Sequence, residues 1–242
     1  MKDNLILAIE TSSARGSVAV GTSAHVLAAR TLSAQRRHTG ELLPAIQDLL
    51  AEIGRQPADV ACLCFSQGPG SFTGLRVAAT VARMWQSATG CRVVGVPSLE
   101  VIAQNGLDRP ERPNRLAAII DARQGKLFGA VYEPAEIGAL NEVVPAGLHV
   151  GEQWLADLPQ PCWVLGEGVS AHTDQIQAAG LTVLPVDCWL PDARQVLIVG
   201  ARRAAAEQFC APAEIVPHYL RPPECEEVYE QRRAEARERR GE

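Results

Sequence analysis

No C-x-x-C pair occurs in this chain, and its seven cysteines, at positions 62, 64, 91, 162, 188, 210 and 225, are odd in number. Both absences argue against a zinc ribbon and a disulfide framework. Positive charge is also scarce: 23 Lys and Arg against 28 Asp and Glu leave a net −5. The broad basic footprint of a protein that binds nucleic acid by itself is therefore missing, and any nucleic-acid role is expected to be shared with a partner. Long apolar runs are absent too. The first one, in "MKDNLILAIETSSARG", is broken by Glu10 and falls far short of the roughly 20 residues a membrane span needs. No targeting signal is visible, which gives a cytoplasmic expectation with no membrane partner.

What is present suits a globular protein: 242 residues, 47% apolar and 21% charged, can bury a sizeable core. "LILAIET" (5–11), "GSVAVG" (16–21) and "HVLAARTL" (25–32) are β-rich runs that predict an opening antiparallel meander. "ELLPAIQDLLAEIG" then spaces Leu42, Leu43, Ile46, Leu49, Leu50 and Ile53 as one helix face, stopped by Gly54. A buried strand (58–67), a helix (71–90), a strand (92–96) and a short helix (98–106) complete the order βββαβαβα. Cys62 and Cys64 fall on one side of the 58–67 strand and read as small core residues.

The proline- and charge-rich "LDRPERPNR" (107–115) breaks the pattern and marks the expected boundary between a first unit, 1–106, and a second, 113–224, with a charged tail at 225–242. Beyond the break, "AIIDARQGKLFGAVY" repeats the logic of "LAIETSSARGSVAV": an apolar strand ending in a carboxylate, a small turn, a second strand. The pairing sets Asp121 against Glu10. A meander followed by alternating strands and helices, used twice, predicts an α/β protein of two ribonuclease-H-like lobes, mixed sheets flanked by helices, as in the actin and sugar-kinase superfamily.

The glycine-rich stretch "SQGPGSFTG" (66–74) raises the question of chemistry. Ser71 is a good helix N-cap, and a helix N-terminus can hold an anion. The Walker lysine is missing, and Pro69 and Thr73 break the G-x-S-x-G pattern. Two readings stand: a weak phosphate or nucleotide site drawing on Glu10, Gly68, Gly70, Ser71 and Asp121, or a corner that lets the helix pack closely on the sheet. No H-E-x-x-H pattern occurs among the five scattered histidines. No residue presents itself as a catalytic group.

"ILAIETSSARGSVAVG", "RRHTGELLPAIQDLL", "SQGPGSFTGLRVAATVA", "VVGVPSLEVIA" and "AIIDARQGKLFGAVYE" together resemble the TsaB (YeaZ) family, in order over residues 5–133 and again at "VPHYLRPPE" (216–224). Residues 140–215 enter the resemblance only by position. The resemblance implies a non-catalytic dimerisation subunit that activates a TsaD-type enzyme making threonylcarbamoyladenosine next to the anticodon of tRNA. The sister TsaD family carries two metal-binding histidines in an H-x-E-G-H helix. Here Ser98 and Ile102 stand at those positions, so the resemblance implies that fold without its metal. It further implies a heterodimer with the TsaD-like subunit, a small ATPase subunit (TsaE), a homodimer as the competing assembly, and tRNA met only through the complex. The resemblance implies no cofactor required by this chain, with ATP or ADP expected only at the partner complex. The family's dimerisation helices map the interface onto Leu42, Ile46, Leu49, Gly74, Arg76, Ala78, Ala82 and Arg83. The alternative is an enzyme using the interlobe cleft: a nucleotide hydrolase, a phosphotransferase or a peptidase.

Overall fold

The structure is a computed structural model that describes residues 4–33, 38–107, 109, 113–135 and 138–221. The expected tail at 225–242 lies outside the described residues. Strands β1 (Leu5–Glu10), β2 (Ser17–Gly21) and β3 (Val26–Thr31) form the opening meander. Helix α1 (His38–Glu52), β4 (Val60–Gly68), α2 (Phe72–Thr89), β5 (Arg92–Pro97) and α3 (Ser98–Gln104) follow in the expected order. Helix α1 begins earlier than the apolar spacing indicates, because its first turn, His38-Thr39-Gly40, carries no apolar residue to announce it.

The second lobe contains β6 (Leu116–Asp121), β7 (Lys126–Pro134), β8 (Leu140–Val150), α4 (Gly151–Ala156), β9 (Trp163–Leu165), α5 (Thr173–Ala178), β10 (Thr182–Val183) and α6 (Ala193–Ala205). The two sheets run β3-β2-β1-β4-β5 and β8-β7-β6-β9-β10, so the same topology is used twice. In each, the first strand pairs antiparallel with its hairpin partner and parallel with the strand beyond. Central strands enclosed on both faces read as continuous apolar runs, and "LILAIE" is buried at every residue. Glu10 and Asp121 are the last residues of β1 and β6, as the repeat predicts.

Two helices leave their own lobe. Helices α1 and α2 cover one face of the first sheet, where Leu42, Ile46, Leu49, Ala78 and Ala82 meet Leu7, Ile9 and Phe65. The opposite face, with Ala8, Cys64 and Val96, is covered by Val196, Leu197 and Val199 of α6. Conversely, Leu99 and Ile102 of α3 pack on Leu116, Ala118 and Ile120 of the second sheet. The expected division put α3 with residues 1–106 and α6 with 113–224, whereas each of these helices closes the sheet of the other lobe. Gly200 shows how close α6 lies: a Cβ there would come within 2.3 Å of Cys64 Sγ. Side chains tie the exchange, with Arg202 donating to Gln104 Oε1 at 2.6 Å and to Gly138 O, and Arg203 pairing with Glu100 at 2.6 Å. Among the described residues no helix is long and apolar enough to cross a membrane.

Candidate functional site

The chain after β1 and the loop after β4 are built against each other. Glu10 is fully buried and accepts from Ser12 N at 2.5 Å, from Ser12 Oγ at 2.6 Å and from Ser66 Oγ. Burial pushes its carboxyl above the usual range, against the downward pull of the Ser12 and Ser66 hydroxyls. Next to it, Thr11 Oγ1 donates to Gly74 O at 2.8 Å and Ser71 N donates to Ser12 O at 2.7 Å. A Cβ at Gly74 would sit 1.8 Å from Thr11 O, and one at Gly70 would sit 2.3 Å from Ser12 O. These glycines let backbone lie on backbone, as a tight corner does, and the Ser71 amide is given to Ser12. Ser71 itself caps α2 by accepting from Gly74 N at 3.3 Å.

Asp121 has different surroundings. Its side chain is 39% exposed, it accepts from Arg123 N at 3.0 Å, and it lies 3.7 Å from the Nε2 of buried His172. Burial, with Asp121 as a second and weaker cause, raises the carboxyl of Glu167 nearby. Glu10 and Asp121 thus share a strand position and no common chemistry: one is sealed among hydroxyls, the other opens to solvent. Ser98 and Ile102 are both fully buried, Ile102 among the apolar residues beneath the second sheet. One hydroxyl and one aliphatic chain do not fit a metal. Among the described residues no three His, Cys, Asp or Glu side chains are placed to share an ion.

The outward feature is a groove between α1 and α2. One cavity there, of about 460 Å³, is lined by Leu42, Leu43, Phe72, Thr73, Arg76, Val77, Thr80 and Val81. It continues into another of about 200 Å³ lined by Leu43, Pro57, Val81, Met84, Trp85, Ala88 and Thr89. Leu43, Phe72 and Met84, 44%, 43% and 61% exposed, lie together along this groove. The residues expected at the interface differ in how the structure places them. Leu42, Ile46, Leu49, Ala78 and Ala82 pack on the first sheet, with Leu42 also at the floor of the groove, and Gly74 abuts Thr11, whereas Arg76 and Arg83 are exposed. The groove also carries Leu43, Phe72, Val77, Val81 and Met84, which were not among the residues expected from the sequence. Their signal was a second stripe at 77, 81, 84 and 88, one residue beyond the exposed stripe Arg76, Thr80, Arg83 and Ser87.

The segment after α6 closes the rim of this groove. His218 N donates to Gln67 O at 2.7 Å, Gln67 Nε2 donates to Val216 O at 3.0 Å, and Arg221 donates across the lobes to Ala122 O at 3.0 Å. Between these anchors Tyr219 packs its ring on Phe72, centroids 5.4 Å apart. A cavity of about 150 Å³ between the lobes is bounded by Pro69, Phe72 and Leu75 on one side, Phe128 on the other, and His218 and Tyr219 across it.

Residues 26–229 match the family model described as "TsaD: tRNA N6-adenosine threonylcarbamoyltransferase". The chain is 33% identical over 223 residues to the Escherichia coli (strain K12) tRNA threonylcarbamoyladenosine biosynthesis protein TsaB, covering 89% of this chain and 94% of that one. The Bacillus subtilis (strain 168) protein of the same name is 29% identical, over 91% of this chain and 96% of its own length. Among solved structures, YeaZ from Pseudomonas aeruginosa superposes with a TM-score of 0.77 at 26% identity, covering 90% of this chain and all of that one.

Proposed function

This chain belongs to the TsaB family, with a part in threonylcarbamoyladenosine biosynthesis, and from that premise we propose that it is the non-catalytic subunit that binds and activates a TsaD-type enzyme for this modification of tRNA. The observation that carries the reading is the apolar groove between α1 and α2, which leaves Leu43, Phe72 and Met84 in water in the free chain. A protein partner covering that groove recovers the hydrophobic free energy of those side chains, at about 25 cal/mol for each Å² of apolar surface removed from water. The site residues support a scaffold rather than an enzyme: Glu10 is committed to Ser12 and Ser66, and the Ser98 and Ile102 positions offer no ligand set. In this reading the small ATPase subunit and tRNA join through the TsaD-type subunit, and nucleotide is held by the complex.

Reconstitution tests it. The purified chain alone is expected to leave tRNA unmodified, and the TsaD-type subunit with the ATPase subunit and substrates is expected to modify it only when this chain is added. Leu43→Glu places a charge in the groove and is expected to abolish both co-elution with the TsaD-type subunit and the stimulated modification. Modification of tRNA by the chain alone would overturn the scaffold reading in favour of an enzyme.

A further inference from the structure

Among the described residues that line the two cavities of the groove, Arg76 is the one charged side chain; the others are apolar apart from threonines. It is held in place within the chain. Its guanidinium lies 3.8 Å above the Phe72 ring, and its Nε–H donates to Tyr219 Oη at 3.0 Å. Tyr219 packs tilted against the same Phe72 and is fixed from both sides by the backbone bond of His218 to Gln67 and the reach of Arg221 to Ala122. One face and the Nε edge of the guanidinium are thereby used. The Nη groups have no hydrogen-bond partner among the described residues.

We propose that Arg76, oriented by Phe72 and Tyr219, is a preset receptor for a carboxylate on the protein partner that fills the groove; the proposal rests on reading that groove as the partner surface. A planar fork with its long stem already ordered recognises an Asp or Glu with little further loss of freedom. The partner's chemistry follows as an apolar helix face with one carboxylate placed opposite Arg76. The described groove of a second copy does not supply it: among the described residues the lining contains no acid, and the carboxylates Asp48 and Glu52 of α1 are paired with Arg30 of β3, the edge strand beside α1. Two copies packed groove to groove would therefore bury the guanidinium with no carboxylate from the facing groove. An RNA backbone has nothing to bury against Leu43, Val77 and Val81. Arg76 is thus the element that selects a heterologous partner over self-association, and Tyr219 is its positioning residue.

Calorimetric titration of the full chain with the TsaD-type subunit, at low and at high salt, tests the proposal on Arg76→Ala, Arg76→Lys, Tyr219→Phe and the Arg76→Ala/Tyr219→Phe double variant, with Leu43→Glu as the groove control. Arg76→Ala is expected to weaken binding about tenfold or more and to remove most of its salt dependence. Arg76→Lys keeps the charge without the fork and is expected to fall between. Tyr219→Phe is expected to weaken binding severalfold, and to add nothing once Arg76 is Ala. Loss of binding in Leu43→Glu with Arg76→Ala silent overturns the receptor and leaves the groove standing. Silence of both overturns the groove itself. Additive effects of Tyr219→Phe and Arg76→Ala overturn the positioning role, and an Arg76→Ala that weakens tRNA binding by the complex with subunit affinity intact assigns the arginine to phosphate instead.

Discussion

Glu10 is a carboxyl withdrawn from water and surrounded by the donors of Ser12 and Ser66. Burial is the largest influence on its ionisation and raises its pKa. The unfolded chain releases that proton near pH ~4.3, whereas the folded chain holds it to higher pH. Between the two values the native state binds more protons than the unfolded one, so the stability Glu10 contributes is fully present below the unfolded value and is lost as pH rises through the folded value. Glu10→Gln keeps an acceptor for the Ser12 donors and does not ionise. We therefore expect the stability of wild type relative to Glu10→Gln to decline as pH rises through this window, measured by urea denaturation on either side of it. A difference that stays constant, or moves in favour of the wild type, removes the carboxyl as the source. Glu10→Ala leaves three donors without an acceptor and is expected to cost about 2–3 kcal/mol below this pH window.

Helix α2 has an inner stripe and an outer one, and the two respond differently to the same substitution. Ala78 is fully buried between α2 and the first sheet, so Ala78→Glu is expected to lower stability by more than about 3 kcal/mol with or without the partner. Thr80 is exposed within the groove, so Thr80→Glu is expected to stay within about 0.5 kcal/mol of wild type while weakening assembly. Thermal melts paired with sedimentation separate the cases; equal melts for the two variants would mean that the faces of α2 are not divided in this way. The ends of the helix were legible in the sequence, since Ser71 caps it and Gly90 closes it in the left-handed region at φ 72°. Its rotation was not. Ala78 and Ala82 lie one residue from Val77 and Val81, both stripes are apolar, and the choice between them is made by contacts such as Thr11 with Gly74, 63 residues apart in sequence.

At the scale of the whole molecule the repeat of strands was readable, because alternation and turn residues are local. The exchange of α3 and α6 was not, because an apolar helix face such as that of Val196, Leu197 and Val199 carries nothing that names the sheet it will cover. The exchange predicts that residues 1–106 do not fold alone: without α6, Ala8, Ala19, Cys64, Val94 and Val96 would face water. That fragment is expected to be aggregated or molten by circular dichroism and dye binding, and to gain a cooperative melt only when a segment carrying 193–221 is supplied. A sharp melt from the fragment by itself would show that α6 is dispensable to the first sheet. The same closure sets an order of events on the ribosome. Strands β1 to β5 emerge early, yet the helix that seals them is encoded near the other end of the chain. At about 5–20 residues per second the roughly 100 intervening residues take on the order of 5–20 s to synthesise. For that interval the nascent first sheet presents an uncovered greasy face to the cell, so this chain needs shelter from chaperones in its first half, and translation pauses before Ala205 lengthen the exposure.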